Sequence, residues 1–161
     1  TDDNLLRHHL QYHKPLIVST AMTTLRQLDH AVEITGTDNI VLMHCVGIYP
    51  CPPEKLNLRV IQALKLRYNT PVGWSGHDVG LATTVAAVVA GANVAERHVT
   101  LDRAMYGSDQ SASVEPQGIK RLVRDIRSVE SAMGDGIKRV LPQEKPILAR
   151  LRRIDTARLE E

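Results

Sequence analysis

The chain contains no phenylalanine, one tryptophan and four tyrosines in 161 residues. Aromatic platforms on which single-stranded nucleic acid stacks are therefore missing, and a net charge of only +2 supplies no basic footprint for a phosphate backbone. No nucleic-acid partner is expected. Cysteine is equally sparse: Cys45 and Cys51 have no second pair to complete a disulfide framework or a zinc knuckle. Reduced thiols in a cytoplasmic protein are the expectation. Long hydrophobic runs are also lacking. The most apolar stretch, 81–95, is interrupted by Thr83, Thr84 and Asn93 and falls short of the roughly 20 apolar residues a membrane span needs. No membrane association is expected, and no signal peptide is visible at the N-terminus.

What is present is an ordinary globular composition, 43% hydrophobic and 24% charged, with length for one domain. From residue 14 onward, short apolar runs alternate with longer stretches of helical periodicity, the signature of successive β-α units around a parallel sheet. Four runs have strand character: 15–20 (PLIVST), 39–44 (NIVLMH), 70–75 (TPVGWS) and 93–98 (NVAERH). After the first, Leu25, Leu28 and Val32 recur at helical spacing, with Thr23 or Thr24 as cap and Gly36 as terminator. Asn57 opens a second helical stretch carrying Leu58, Ile61, Leu64 and Tyr68, and 81–90 suits a tightly packed third. In the fourth, Pro116 fits the first turn, and Ile119, Leu122, Val123, Ile126, Val129 and Met133 form one apolar stripe before Gly134. The first dozen residues read as the end of a preceding helix, and the segment from Ile147 as a charged helical tail.

The fold class expected is α/β, with four of the eight parallel β-α units of a TIM barrel. A lone four-stranded parallel sheet leaves two unpaired edges. Either the chain is part of a longer enzyme, or two copies pair into a full barrel, or the sheet opens into a flatter arrangement.

In such barrels catalytic groups project from the C-terminal strand ends and the loops that follow. Here those ends carry Ser19 and Thr20, then His44 and Cys45, then Ser75, Gly76 and His77, and finally Glu96 and His98. Glu96 and His98 are two positions apart and share one face of an extended strand, while Arg97 points toward the helices. His77 and His98 close sequential strands, which sets the two imidazoles side by side at one rim. Two histidines near a carboxylate suit a divalent ion with open positions for substrate oxygens, although a strand-end histidine is also commonly a hydrogen-bonded structural residue. The loop 99–114 is long for a βα connection, where roughly 2–6 residues are typical. Within it Asp102 and Asp109 either hold sugar hydroxyls or a metal-bound water, or, for Asp109, form a turn beside Gly107. The loop VGIYPCPPEKLN holds three prolines, so it is stiff and keeps Tyr49 in place, either at the site or as a packed side chain.

Four linked motifs, KPLIVSTAM, LMHCVGIYPCPPEKLNL, PVGWSGHDVGL and VAERHVTLDRAMYGSDQSASVEP, occur in the order and spacing of the sialic acid synthase family, which the chain resembles over about residues 14–138. The resemblance implies the C-terminal half of a (β/α)8 barrel, with 139–161 as a tail and without the antifreeze-like domain often found in the family. It implies condensation of phosphoenolpyruvate with N-acetylmannosamine or a related N-acylated amino-sugar aldose, releasing phosphate and forming a 2-keto acid on Mn2+ or Mg2+. Carried over by position, His77 and His98 match the metal ligands. Ser19 and Ser75 match residues that contact phosphoenolpyruvate, Glu96 lies by metal and sugar as a catalytic group, Asp109 matches the sugar-binding aspartate and is a second catalytic group, and Tyr49 lines the same pocket.

The sequence departs from the family at three of these motifs. Gly47 stands where an Asn is frequent, Ala21 replaces the Gly of an STGM motif, and Gly76 replaces an Asp before the first metal histidine. The family's sugar-activating glutamate and phosphate-binding lysine belong to the barrel's first half. The chain alone is therefore expected to be inactive, and a homo-oligomer or a complementing half barrel is expected. A related synthase acting on a different aldose, and a non-catalytic half barrel that binds metal or a partner, are the alternatives.

Overall fold

A computed structural model describes residues 2–153. Four parallel strands, β1 (Leu16–Ser19), β2 (Ile40–Cys45), β3 (Val72–Gly76) and β4 (Val94–Arg97), form one sheet in sequential order, β1-β2-β3-β4. Each is followed by a helix: α2 (Leu25–Thr35), α3 (Arg59–Tyr68), α4 (Ala82–Val89) and α5 (Pro116–Met133). An N-terminal helix α1 (Asp3–Leu10) precedes the first strand, and α6 (Lys145–Leu151) follows the last unit. The expected helical tail from Ile147 thus lies partly in α6, with 154–161 outside the described residues.

The helix ends have the chemistry their residues dictate. Of the two candidate threonines, Thr24 caps α2: its hydroxyl accepts from the Gln27 amide at 3.3 Å while the Gln27 side chain accepts from the Thr24 amide at 2.9 Å. Gly36, at φ +67°, ends the same helix by donating to the Val32 carbonyl, in a conformation that favours glycine. Pro116 opens α5. Asn57 does not open α3, whose first residue is Arg59; at φ +47° it sits in the left-handed region instead, as asparagine tolerates.

Strand alternation divides the sheet into two chemically distinct faces. Toward the helices point Leu16, Val18, Ile40, Leu42, Val72 and Trp74, which with Leu28, Ile61, Leu64, Tyr68 and Ala87 make the hydrophobic core. Trp74 and Ile61 are wholly excluded from solvent. The opposite face, concave in a barrel, carries Ile17, Ser19, Met43, Cys45, Gly73, Ser75 and Glu96. Gly73 leaves the space that Met43 occupies there, since a Cβ would stand 2.3 Å from Met43 Sδ and 3.0 Å from Val94 Cβ.

β1 and β4 each have one side without a strand partner among the described residues. The consequence is visible in α5. Leu122 is buried, but Val123 and Met133 of the expected apolar stripe are 52% and 57% exposed, because β4 is an edge strand and the sheet ends before it can cover them. Val123 and Ile126 instead line an open groove of about 180 Å3 with Val88, Val94 and Ala95. On the outer edge of β1, Ile17 is likewise 56% exposed.

Candidate active site

The C-terminal ends of β2, β3 and β4 converge on one rim. Register pairs Cys45 with Ser75 and Ser75 with Glu96, so these three side chains lie in a row across neighbouring strands. Ser75 Oγ donates to Glu96 Oε1 at 2.7 Å and lies 3.3 Å from His77 Nε2. His77, directly after β3, is buried and fixed from below: its Nδ1 is 2.7 Å from the Val46 carbonyl oxygen, and only a protonated Nδ1 can donate to that acceptor. The Nε2 lone pair of the neutral ring is thereby turned to the rim, where the Tyr49 hydroxyl is 3.2 Å away. A backbone bond from the Cys51 amide to the His77 carbonyl, 2.8 Å, joins the proline-rich loop to the same turn.

His98 stands beside His77, ring centroids 5.3 Å apart and nearly perpendicular. Tyr49 roofs both, stacked on His77 at 4.1 Å and tilted over His98 at 5.6 Å. Asp109 closes the far side with Oδ2 at 3.6 Å from His98 Nδ1. Its loop is tied at the base by the Val114 amide donating to the His98 carbonyl and the Thr100 amide donating to Val114, so that 99–114 forms a closed excursion from the strand end. Partial burial, and then the nearby Cys45 thiol and the carboxylates of Asp109 and Glu96, push the Tyr49 phenol above its ordinary value, which keeps its proton in place at neutral pH.

Six of the residues singled out in the sequence, Tyr49, Ser75, His77, Glu96, His98 and Asp109, are therefore brought together. Ser19 stands one strand further out, its Oγ 3.0 Å from Cys45 Sγ and reaching the cluster only through the Cys45–Ser75 register pair. Asp102 is turned to local structure instead, its Oδ1 accepting from the Ala104 amide at 2.8 Å. His44, also at a strand end, faces the helices, packed near Trp74 and bonded to the Leu56 carbonyl at 2.9 Å. Arg97 and Asp78, on the helix side behind the rim, form a buried pair that the sequence reading did not use. A signal existed: a charged residue between Glu96 and His98 must point into the apolar side of the sheet. A groove of about 850 Å3 between α2 and α3, lined by Leu25, Leu28, Val60 and Leu64, runs up to the strand ends at Thr20, Cys45 and Val46.

Among the described residues no three His, Cys, Asp or Glu side chains are grouped to share one ion. The two imidazoles are nonetheless suited to one: they are adjacent, and the carbonyl at His77 Nδ1 is the outer partner that fixes tautomer and ring orientation in histidine metal sites. An ion held here by two nitrogens would take its other ligands from oxygens of water or substrate.

Residues 1–138 match the NeuB family. Human N-acetylneuraminate-9-phosphate synthase is 42% identical over 134 residues, covering 81% of this chain and 37% of the human protein. The N,N'-diacetyllegionaminic acid synthase of Campylobacter jejuni is 39% identical over 145 residues, covering 87% of this chain and 43% of that enzyme. The crystal structure of the N-acetylneuraminic acid synthetase of Leptospira borgpetersenii serovar Hardjo-bovis, solved with citrate, superposes with a TM-score of 0.81 at 30% identity, over 94% of this chain and 55% of that one. The chain thus spans about two fifths of the length of these curated relatives. With the matched segment containing all four β-α units and every residue of the rim, the chain belongs to the NeuB family.

Proposed function

We propose that this chain supplies the metal- and phosphoenolpyruvate-binding side of a nonulosonic acid synthase, an enzyme that joins phosphoenolpyruvate to an N-acylated amino-sugar aldose. The observation that carries this reading is the pair of imidazoles 5.3 Å apart at the strand ends, with His77 held by the Val46 carbonyl so that Nε2 faces the rim. Relatives that make sialic, legionaminic and pseudaminic acids support the reaction class without selecting the sugar.

In the reaction, C3 of phosphoenolpyruvate bonds to the aldehyde carbon, water adds at C2, and the C2–O bond to phosphate breaks. His77 and His98 would hold Mn2+ or Mg2+, which when bound supplies a Lewis acid for the aldehyde oxygen. The remaining work falls to the protein's own groups. Ser75, buried and donating to Glu96, presents a hydroxyl at the rim for an oxygen of phosphoenolpyruvate, and Ser19 presents another two strands over. When the Ser75 hydroxyl turns to substrate, Glu96 Oε1 is freed to accept the proton that the water adding at C2 releases, which balances the proton the aldehyde oxygen gains. Asp109, next to His98, accepts from sugar hydroxyls and orients that imidazole. Tyr49 keeps its proton and roofs the pocket.

Isothermal titration of Mn2+ into the chain, alone and with phosphoenolpyruvate, tests this. Binding by wild type that is lost in both His77→Ala and His98→Ala, with phosphoenolpyruvate affinity lowered in Ser75→Ala, supports the reading. A folded wild type that binds neither contradicts it. Metal binding with no response to phosphoenolpyruvate would favour a metal-binding half barrel.

A further inference from the structure

Directly behind the histidine rim, on the apolar side of the sheet, lies a pair of buried charges. The side chains of Arg97 and Asp78 are only 2% and 1% exposed, with Nη1 3.7 Å from Oδ1. As a stabilising device the pair is poor: Arg97 Nε and Asp78 Oδ1 have no hydrogen-bond partner, and a buried ion pair with unmet groups is often no better than apolar side chains in its place. Its geometry suggests another role. Arg97 Nη1 donates to the Gly80 carbonyl at 2.8 Å and to Thr84 Oγ1 at 2.9 Å, while Nη2 donates to the Asp78 carbonyl at 2.5 Å and the Ala112 carbonyl at 3.3 Å. One planar fork therefore ties three segments: the turn that carries His77, the first turn of α4, and the loop that carries Asp109.

The last tie bears on the site. The Asp109 carbonyl accepts from the Ala112 amide at 3.1 Å and from Ser113 Oγ at 2.8 Å, so the segment Arg97 grips is the one that sets Asp109 against His98. Asp78 adds the second half of the seat, its Oδ2 accepting from Thr83 at the start of α4. Gly76 makes the passage possible. A Cβ there would stand 2.8 Å from Trp74 Nε1 and 2.9 Å from Arg97 Cδ, so the missing side chain before His77 is the space through which the arginine stem runs.

We propose that Arg97 is a positioning residue that locks the His77 turn to the Asp109 loop from behind the sheet, with Asp78 and Gly76 forming its seat. This rests on the rim of His77 and His98 being the site. An apolar filler of the same volume would pack as well but would leave Asp109 free to swing from His98.

Two variants of the full chain separate positioning from mere packing. Arg97→Lys keeps the charge and most of the stem but offers one ammonium in place of a fork; Arg97→Met with Asp78→Asn removes both charges together. Amide hydrogen exchange in metal-free protein is read at Ala112, Ser113 and Val114 and compared with Val72 and Trp74 in the core strand. The expected result is folded variants in which the loop amides exchange roughly ten-fold faster while the strand amides are unchanged, and in which Mn2+ binds about ten-fold more weakly, the scale of outer-shell losses at metal sites. Unchanged loop exchange in a folded variant overturns the proposal, and so does unfolding of both variants, which would make the pair a general staple. Because exchange is read without metal, a wild type that fails to bind Mn2+ would sink the synthase reading while leaving this one to be judged on the loop amides.

Discussion

Tyr49 lies stacked on His77 with its hydroxyl 3.2 Å from Nε2, the same nitrogen that the Val46 bond turns toward the rim. The phenol thus has two separable roles, a ring that holds the imidazole and a hydroxyl that occupies its lone pair. Tyr49→Phe keeps the ring and removes the competitor, so Mn2+ affinity is expected to equal or exceed wild type. Tyr49→Ala loses the stack, whose worth of about 0.5–1.5 kcal/mol corresponds to roughly 2–10-fold weaker binding. Titration of the two variants side by side checks it, and equal losses in both would refute the division.

His44 makes the fold sensitive to acid. Burial lowers its pKa below the ordinary value near 6.5, outweighing the backbone bond to Leu56 that favours the charged form. The unfolded chain therefore binds a proton at higher pH than the native one, and stability present above about pH 6.5 is lost as pH falls further. Melting temperature is expected to decline from pH 7 to pH 5, and His44→Gln to flatten that decline. Parallel profiles for the two proteins would show that other groups carry the acid sensitivity.

How much of this was legible beforehand depends on the range of the interaction. Strand runs such as NIVLMH and the Thr24 and Gly36 signals are local, and β2 and α2 stand where they predict. Placing Glu96 and His98 on one face needed only strand alternation, and the same parity turned Arg97 to the helices. What parity cannot reveal is what a side chain meets on arrival. The Ala112 carbonyl is fifteen residues from Arg97 and Val46 is thirty-one from His77, contacts made by the closure of loops whose paths no periodicity encodes. Gly76 reads in the sequence as a departure from a family motif, and the approaches of Trp74 Nε1 and Arg97 Cδ, 2.8 and 2.9 Å from where a Cβ would stand, give it a reason.

The core can be tested against the surface with two apolar truncations on one helix. Ile61 of α3 is fully buried among the strand side chains, whereas Leu66, five residues on, is 86% exposed. Ile61→Ala is expected to lower unfolding free energy by about 2–5 kcal/mol, and Leu66→Ala to change it by less than about 0.5 kcal/mol. Urea unfolding followed by circular dichroism measures both. Similar losses would mean that the outer face of α3 is covered in solution.

The catalytic prediction follows from how open the rim is. Tyr49 is 43% exposed, the Asp109 and His98 side chains are 43% and 35% exposed, and the sheet beneath them has two edges without a strand partner among the described residues. Carbon–carbon bond formation at such a site needs water kept from the reacting face, since charge stabilisation weakens steeply when solvent has access. The 161-residue chain is therefore expected to bind Mn2+ yet release phosphate from phosphoenolpyruvate and N-acetylmannosamine no faster than background. Colorimetric phosphate release with metal, matched against His77→Ala, makes the comparison. Turnover above that variant would mean that the four β-α units close the site themselves, through self-association or a rearranged sheet, and the same assay repeated across protein concentrations would separate the two: a rate per chain that rises with concentration marks association, and a constant one marks closure within a single chain.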